Sequence, residues 1–464
     1  MNAHNRQTPA QVAPDLQCFK TYDVRGRIGK ELDDRIAFRI GQAFSEVMRP
    51  ASVVVGHDCR PTSPELAAAL IDGLRKAGVE VFDIGQVGTE EVYFATKYLD
   101  AGGGIEVTAS HNPIEYNGMK FVGRDSRPVS EDEFAHIHNR ARLGIPLNCV
   151  MRARTEVETR PAFARKVCDF VDATWIRPFK IVVNAGNGVA GPAFDAIVTE
   201  LARRGADLEV IRIFHEPDPS FPNGIPNPLL PENRAATAEA VRENSADLGI
   251  AWDGDFDRCF LFDETGAFVD GEYVVGLLAR AFLKDEPGST IVHDPRVIWS
   301  TQTAVQEEGG QAVMARTGHA FMKQAMRETE AIYGGEMSAH HYFRDFMCCD
   351  SGMIPWLKLL ELMSRTEHSL AELVSTMRHE FPSSGEINFE VSDARRVMEH
   401  IRTHFEGRAV SSDTLDGLSM SFDDWRMNLR PSNTEPLLRL NVETRQDRAL
   451  LEATRDEITR LCTM

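Results

Sequence analysis

Three short β-branched runs, each ending in a polar turn before a helix-like stretch, do most to restrict what this chain can fold into. They are Val53-Val54-Val55 running into Gly56-His57-Asp58, Ile181-Val182-Val183 into Asn184-Ala185-Gly186-Asn187-Gly188, and Thr290-Ile291-Val292 into His293-Asp294-Pro295. Helix-like segments follow over 64–77, 192–204 and 300–308, and second strand-like runs come after them, such as Val79-Glu80-Val81-Phe82 and Ala312-Val313-Met314. Strands alternating with helices of this length predict α/β layers with parallel or mixed sheets. Their return after about 110–130 residues predicts three related α/β units.

The last ninety or so residues read differently. A helical run over 370–379 precedes Ile387-Asn388-Phe389-Glu390-Val391, strand-like runs near Met420 and Leu438, and a closing helix over 447–461. Grouped strands with flanking helices predict a smaller α+β unit. With 464 residues at roughly 150 per domain, the expected division is 18–153, 154–256, 257–368 and 369–464, behind a polar, flexible tail over 1–17. Apolar residues at 42% fit such globular units.

Charge narrows the partners. Asp and Glu number 70 against 51 Lys and Arg, a net −19. So acidic a surface repels nucleic acid and anionic membranes, which are bound through clustered cations, and no run approaches the ~20 apolar residues of a membrane span. The eight cysteines include the adjacent Cys348 and Cys349 and form no C-x-x-C. Reduced thiols in a cytoplasm are the expectation, with no zinc site or disulfide framework. An anionic ligand would therefore have to be drawn in by a local positive field.

Four segments could carry chemistry. Asp253-Gly254-Asp255-Phe256-Asp257-Arg258 lies between apolar strand-like flanks. In extended chain residues i, i+2 and i+4 share a side, so three carboxylates would converge, which demands a hard divalent cation, Mg²⁺ or Ca²⁺. Arg258 stands where an EF-hand needs glycine, and the flanks are not helical, so an EF-hand is rejected. Thr108-Ala109-Ser110-His111-Asn112-Pro113 leaves a strand at Ile105-Glu106-Val107. Neighbouring side chains diverge in extended chain, so Ser110 and His111 are not a ready-made hydrolase pair. In Gly335-Glu336-Met337-Ser338-Ala339-His340-His341, spacing by two would set Glu336, Ser338 and His340 on one side, suited to gripping sugar hydroxyls. Arg430-Pro431-Ser432-Asn433-Thr434-Glu435-Pro436 packs a guanidinium, two hydroxyls and an amide into one loop, the donors a phosphate requires. A fifth pattern, Gly186-x-Gly188-x-x-Gly191 with Glu209 beyond it, matches a dinucleotide fingerprint, but nothing else in the chain resembles a hydride-transfer site.

Order and combination make these motifs specific. Together they resemble the α-D-phosphohexomutase family over nearly the whole chain, with Thr108 to Pro113 similar to its phosphoserine loop, Asp253 to Arg258 to its magnesium loop, Gly335 to His340 to its sugar loop and Arg430 to Thr434 to its phosphate loop. Tyr22-Asp23-Val24-Arg25-Gly26 resembles the family's opening motif. The resemblance implies three similar α/β domains and a smaller α+β domain around a central cleft. It also implies an isomerase: Ser110, phosphorylated, gives its phosphoryl group to a hexose monophosphate, and takes the other one back from a hexose 1,6-bisphosphate that also serves as activator. By the same resemblance Ser110, Asp253, Asp255 and Asp257 hold Mg²⁺, Lys120 and His111 are candidates for proton transfer, and Arg25 and Arg258 support the phosphoserine. Tyr22, Arg296, His319, Glu336, Ser338 and His340 fall at substrate-contacting positions, and Arg430, Ser432, Asn433 and Thr434 hold the non-reacting phosphate.

Two departures bear on specificity: Arg296 stands where relatives often carry Lys, and Ala339 replaces a common Gly. Met337, with Ala339-His340-His341-Tyr342-Phe343 after it, is similar to bacterial mannose-type members serving GDP-mannose and surface-polysaccharide synthesis, whereas glucosamine-type members tend to carry Gln there. The expectation is mannose 6-phosphate to mannose 1-phosphate, by a cytoplasmic monomer or homodimer. Glucose or glucosamine phosphates are the near alternatives, and a silent sugar-phosphate-binding protein or a nicotinamide enzyme the remote ones.

Overall fold

The structure is a computed structural model that describes residues 16–144, 150–431 and 437–463. Four five- or six-stranded sheets form along the chain. The first holds β1 (Val24–Arg27), β2 (Ser52–His57), β3 (Glu80–Gln86), β4 (Gly103–Val107), β5 (Tyr116–Gly123) and β6 (Arg154–Glu156), in the order β1-β5-β4-β2-β3-β6. Its helices are α1 (Asp34–Met48), α2 (Ser63–Lys76), α3 (Thr89–Tyr98) and α4 (Glu131–Leu143). The second holds β7 (Phe179–Asn184), β8 (Leu208–Ile213), β9 (Leu248–Trp252), β10 (Cys259–Phe262) and β11 (Phe268–Val269), with α5 (Arg160–Cys168), α6 (Ala190–Arg203) and α7 (Ala235–Asn244). The third holds β12 (Thr290–His293), β13 (Gln311–Met314), β14 (Tyr333–Gly335), β15 (His341–Phe343) and β16 (Cys349–Asp350), with α8 (Gly271–Asp285), α9 (Trp299–Glu307), α10 (His319–Thr329), α11 (Ile354–Thr366) and α12 (Leu370–Glu380).

The three units repeat one topology. A central strand (β2, β7, β12) pairs in parallel with the next strand (β3, β8, β13) and on its other side with a third (β4, β9, β14). That third strand turns back into an antiparallel neighbour (β5, β10, β15). The β-branched central strands are buried between helices on both faces, as parallel strands require. The fourth sheet is wholly antiparallel: β17 (Ile387–Glu390), β18 (Ser411–Asp413), β19 (Leu418–Ser421), β20 (Trp425–Pro431) and β21 (Leu437–Thr444), with α13 (Ala394–Phe405) and α14 (Arg448–Cys462). Asp447 caps α14 by accepting from Leu450 N at 2.8 Å.

Each expected boundary falls early. β6 pairs with β3, so the first unit runs through Glu156 rather than 153. β9 and β10 form a hairpin that a cut at 256 would sever, and β11 carries the second unit to Val269. Leu370, Val374 and Met377 of α12 bury in the core that α8 lines, so that helix belongs with the third unit rather than after 368. At the N-terminus residues 1–15 of the expected tail lie outside the described residues, while Leu16 is buried in the first unit's core.

The second and third units share one core. Trp356 of α11 packs 5.3 Å from the Phe194 ring of α6, and Trp252 Nε1 donates to Gly352 O at 2.9 Å. Each buried aromatic of this kind contributes roughly 2–3 kcal/mol, which fixes the two units against each other. Among the described residues, no helix is long and apolar enough to cross a membrane.

Candidate active site

The repeated topology places equivalent loops side by side. The β4–β5 connection carries Ser110, β9–β10 carries the three aspartates, and β14–β15 carries Glu336 to His340. Ser110 has a left-handed backbone, φ 48°, and is 4% exposed. That conformation overturns the expectation that Ser110 and His111 diverge: Ser110 Oγ lies 3.0 Å from His111 Nδ1 and donates to Asp253 Oδ2 at 2.7 Å. Arg258 Nη2 donates to the same His111 nitrogen at 2.5 Å, so that nitrogen carries no proton and the serine hydrogen goes to Asp253. Desolvation in the cleft, then Arg258 and Arg25, hold His111 well below the usual histidine range.

Arg60, which the sequence reading missed, holds this loop. It is 1% exposed and donates to the carbonyls of Ser110 (2.9 Å), Asn112 (2.5 Å), Pro113 (2.9 Å) and Tyr116 (3.1 Å). Asp58 stands 3.5 Å from its Nε and accepts from Thr108 Oγ1 at 2.7 Å. A signal existed: His57-Asp58-Cys59-Arg60 after β2 and His293-Asp294-Pro295-Arg296 after β12 share one pattern. In both turns the Asp accepts from the Arg backbone N at 2.9 Å, and in both the guanidinium reaches its own unit's loop, Arg296 Nη2 meeting Ser338 Oγ at 3.2 Å.

The aspartates converge by a turn, with Phe256 at φ 47°, rather than along an extended strand. One oxygen each of Asp253, Asp255 and Asp257 lies within 4.8 Å of the others, and all three residues are buried. Lys120 Nζ sits 2.6 Å from Asp255 and 2.5 Å from Asp257, and Arg258 Nη2 2.7 Å from Asp253. Burial opposes the charge on Asp257, but Lys120 and His340 hold its carboxyl down at about 2, while burial and the neighbouring carboxylates push Asp253 up. Burial is likewise outweighed at Lys120, where Asp255 and Asp257 raise it above the usual lysine value. Asp255 Oδ1 and Asp257 Oδ1 accept no hydrogen bond among the described residues. Clustered, partly unsatisfied oxygens on three carboxylates fit a hard divalent cation.

Gly254 lets the serine approach: a Cβ there would stand 2.6 Å from Ser110 O. Gly254→Ala should therefore push the two loops apart and lower turnover by about a hundredfold, with the thermal midpoint little changed. Steady-state rates beside a melting curve check this.

The sugar loop is a tight turn with Ala339 at φ 71°, so Glu336, Ser338 and His340 do not line one side of a strand as the spacing by two suggested. Glu336 accepts from Tyr342 at 2.5 Å and Gly318 N at 3.1 Å. Ser338 faces Arg296, and His340 faces the acidic loop, 3.0 Å from Asp350 and 4.0 Å from Asp257. Burial would lower His340, but Asp257 and Asp350 raise it. His319 meets the Tyr22 ring edge-on at 4.4 Å and is held neutral, down at about 3, by burial and then Lys323. Arg25 donates to Thr108 O at 2.9 Å and to Asp23 at 2.9 Å.

Arg430 ends β20, is 7% exposed and donates to Glu386 at 2.9 Å. Ser432, Asn433 and Thr434 lie outside the described residues. The glycines of the dinucleotide-like pattern serve protein contacts instead: a Cβ at Gly186, Gly188 or Gly191 would stand 2.3, 2.7 or 2.1 Å from Pro226, Gly254 O or His215 O.

Comparison with known proteins agrees with this arrangement. Profiles described as phosphoglucomutase/phosphomannomutase alpha/beta/alpha domains I, II and III match residues 16–143, 161–266 and 270–381, and the C-terminal domain profile matches 386–461. A phosphomannomutase of Salmonella montevideo is 53% identical over 96% of this chain and 99% of its own length. One from Escherichia coli strain K12 is 51% identical over 94% and 97%, and phosphohexose mutases of Xanthomonas campestris are 52% identical over 96% and 99%. The crystal structure of a Burkholderia thailandensis phosphoglucomutase/phosphomannomutase family protein superposes with a TM-score of 0.86 at 32% identity, covering 96% of this chain and 97% of that one. An Aspergillus fumigatus N-acetylphosphoglucosamine mutase, solved with GlcNAc-6P and magnesium, shares the fold at 15% identity and a TM-score of 0.56, over 90% and 83% of the two chains. With all four domains matched in order and half its residues shared over nearly the full length, the chain belongs to the phosphoglucomutase/phosphomannomutase family of phosphohexomutases.

Proposed function

We propose that this isomerase interconverts mannose 6-phosphate and mannose 1-phosphate through a phosphorylated Ser110 and a hexose 1,6-bisphosphate, which also primes the enzyme. The observation that carries the reading is Ser110 Oγ at 2.7 Å from Asp253, at the meeting point of the three equivalent loops. Asp253, Asp255 and Asp257, with the phosphorylated Ser110, would hold Mg²⁺. When bound, the ion supplies charge neutralisation for the transferring phosphoryl group.

The chain's own residues divide the remaining work. His111, kept neutral, receives the proton of the attacking sugar hydroxyl, and Lys120, kept charged, returns one to the serine oxygen as its bond to phosphorus breaks. In the second half the two exchange roles. Arg258 and Arg25 fix the serine loop, Glu336 and Ser338 take sugar hydroxyls, and Tyr22, His319 and His340 line the sugar's path. Arg296 and Arg430, with Ser432, Asn433 and Thr434, hold the phosphate that does not react. Shared identity of about half with phosphomannomutases supports mannose over glucose or glucosamine phosphate. Described cysteines that are all unpaired thiols support a cytoplasmic setting, as monomer or homodimer.

Initial rates on mannose, glucose and glucosamine 1-phosphates, each primed with trace bisphosphate, test the substrate. Mannose 1-phosphate should be fastest, with glucose 1-phosphate second; equal or better turnover of the glucosamine compound would sink the mannose reading.

A further inference from the structure

The first turn of α3 turns three successive polar side chains toward the neighbouring units. Thr89 Oγ1 donates to Asp255 Oδ2 at 2.5 Å, and its backbone N donates to Asp255 O at 3.3 Å. Glu90 Oε1 accepts from Gly352 N at 3.0 Å and Met353 N at 3.1 Å, at the start of α11 in the third unit. Glu91 meets Arg160 of α5, in the second unit, at 2.9 Å. All three residues are buried. Buried polar groups require partners, and here each finds one outside its own unit.

The aspartate loop lies between the two segments that Glu90 ties together. On one side, a Cβ at Gly88 would stand 2.1 Å from the Phe256 ring and 2.7 Å from Asp255 O. On the other, a Cβ at Gly352 would stand 2.3 Å from Phe256 O and 3.0 Å from Arg258 O. Phe256, at φ 47°, makes the bend that brings the carboxylates together, so both flanks close on that bend.

The hydrogen bonds at Asp255 are unevenly shared. Its Oδ2 accepts from Thr89 and from Lys120 Nζ, at 2.5 and 2.6 Å, whereas Oδ1 accepts from no described residue. A carboxylate oxygen offers about two lone pairs, so Oδ2 is filled and Oδ1 is the atom left for a cation. Lys120 does not fix this choice alone, because its ammonium, on a flexible stem, also donates to Asp257 at 2.5 Å. The Thr89 hydroxyl has one hydrogen and spends it on Asp255.

Resting on the reading of the three aspartates as Mg²⁺ ligands, we propose that Thr89 is a positioning residue for the metal site. Contributed by the first unit, it fixes Asp255 of the second so that Oδ1 stays open to the ion, while Glu90 clamps the two flanks of the loop. One helical turn of the unit that carries Ser110 thus sets the metal ligands against the serine.

Binding of Mn²⁺ to the full chain, followed by the electron-spin resonance of the free ion, tests this without turnover; Mn²⁺ shares the preference of Mg²⁺ for carboxylates. Thr89→Val keeps the shape, removes the donor and should weaken Mn²⁺ binding about ten- to a hundredfold. Thr89→Ser keeps the hydroxyl and should bind Mn²⁺ as the native chain does. Turnover of Thr89→Val should go on rising at Mg²⁺ concentrations that saturate the native enzyme, which damaged packing alone would not allow. Thr89→Ala gives the same reading if valine prevents folding. Native Mn²⁺ affinity in folded Thr89→Val or Thr89→Ala overturns the proposal, and so does a Thr89→Ser variant as weak as either, since packing rather than the hydrogen bond would then be responsible. Native affinity in Asp255→Asn means that the metal site itself is misassigned, and that outcome is read independently of Thr89.

Discussion

Alanine at position 110 should leave a folded protein whose hexose-phosphate turnover falls at least about a thousandfold. Ser110 Oγ is the atom aimed at Asp253, and the neighbouring cations converge on the space around it. Without it no covalent phosphoenzyme forms, and phosphoryl transfer has little other chemistry to fall back on. The fold should hardly notice. Asp253 keeps both contacts from Arg258, at 2.9 and 2.7 Å, and the serine loop keeps its four hydrogen bonds to Arg60, so the loss in stability is about 1 kcal/mol. Intact mass should show one phosphoryl group on the primed native chain and none on the variant. Retention of more than about a tenth of the native rate would remove Ser110 from the mechanism.

Much of this architecture was legible because it is written in local pattern. Runs such as Val53-Val54-Val55 are β-branched, unbroken and bounded by turns, which only a buried parallel strand accommodates. Boundaries were less legible, because hairpin partners carry no marker of which sheet they join. The residues of β10 read as well after a boundary at 256 as before one, and pairing with β9 decides. Motif chemistry was legible and motif geometry was not. Ser110, Phe256 and Ala339 each take a left-handed backbone at a non-glycine position, so rules for extended chain put Ser110 and His111 apart and Glu336, Ser338 and His340 together. The charge argument is sharpened in the same way. The −19 chain does gather Arg25, Lys120, Arg258, Arg296 and Arg430 at one cleft, but each arrives paired with a carboxylate.

Arg60→Ala should be the most destabilising single change in the first unit, at about 3–5 kcal/mol, and should abolish turnover as well. The guanidinium is 1% exposed, and its removal leaves four loop carbonyls without a donor and strips Asp58 of its ionic partner. Asp58 would then hold its charge in a buried turn against Ser63 Oγ and Thr108 Oγ1 alone among its side-chain partners. Arg25 reaches the loop only at Thr108 O, ahead of the serine, so Ser110 loses the support that holds it at φ 48°. Arg60→Lys should recover part of the stability and little of the activity, since three rotating donors cannot span four carbonyls that a rigid fork reaches together. The equivalent change in the third unit separates the two consequences. Arg296 occupies the same turn but spends its guanidinium on Asp294, Ser338 and Glu386, so Arg296→Ala should weaken substrate binding with a smaller loss of stability. Chemical denaturation of the three variants beside KM and kcat gives the comparison. If Arg60→Ala melts with the native protein, the four carbonyl contacts are not what holds the serine loop.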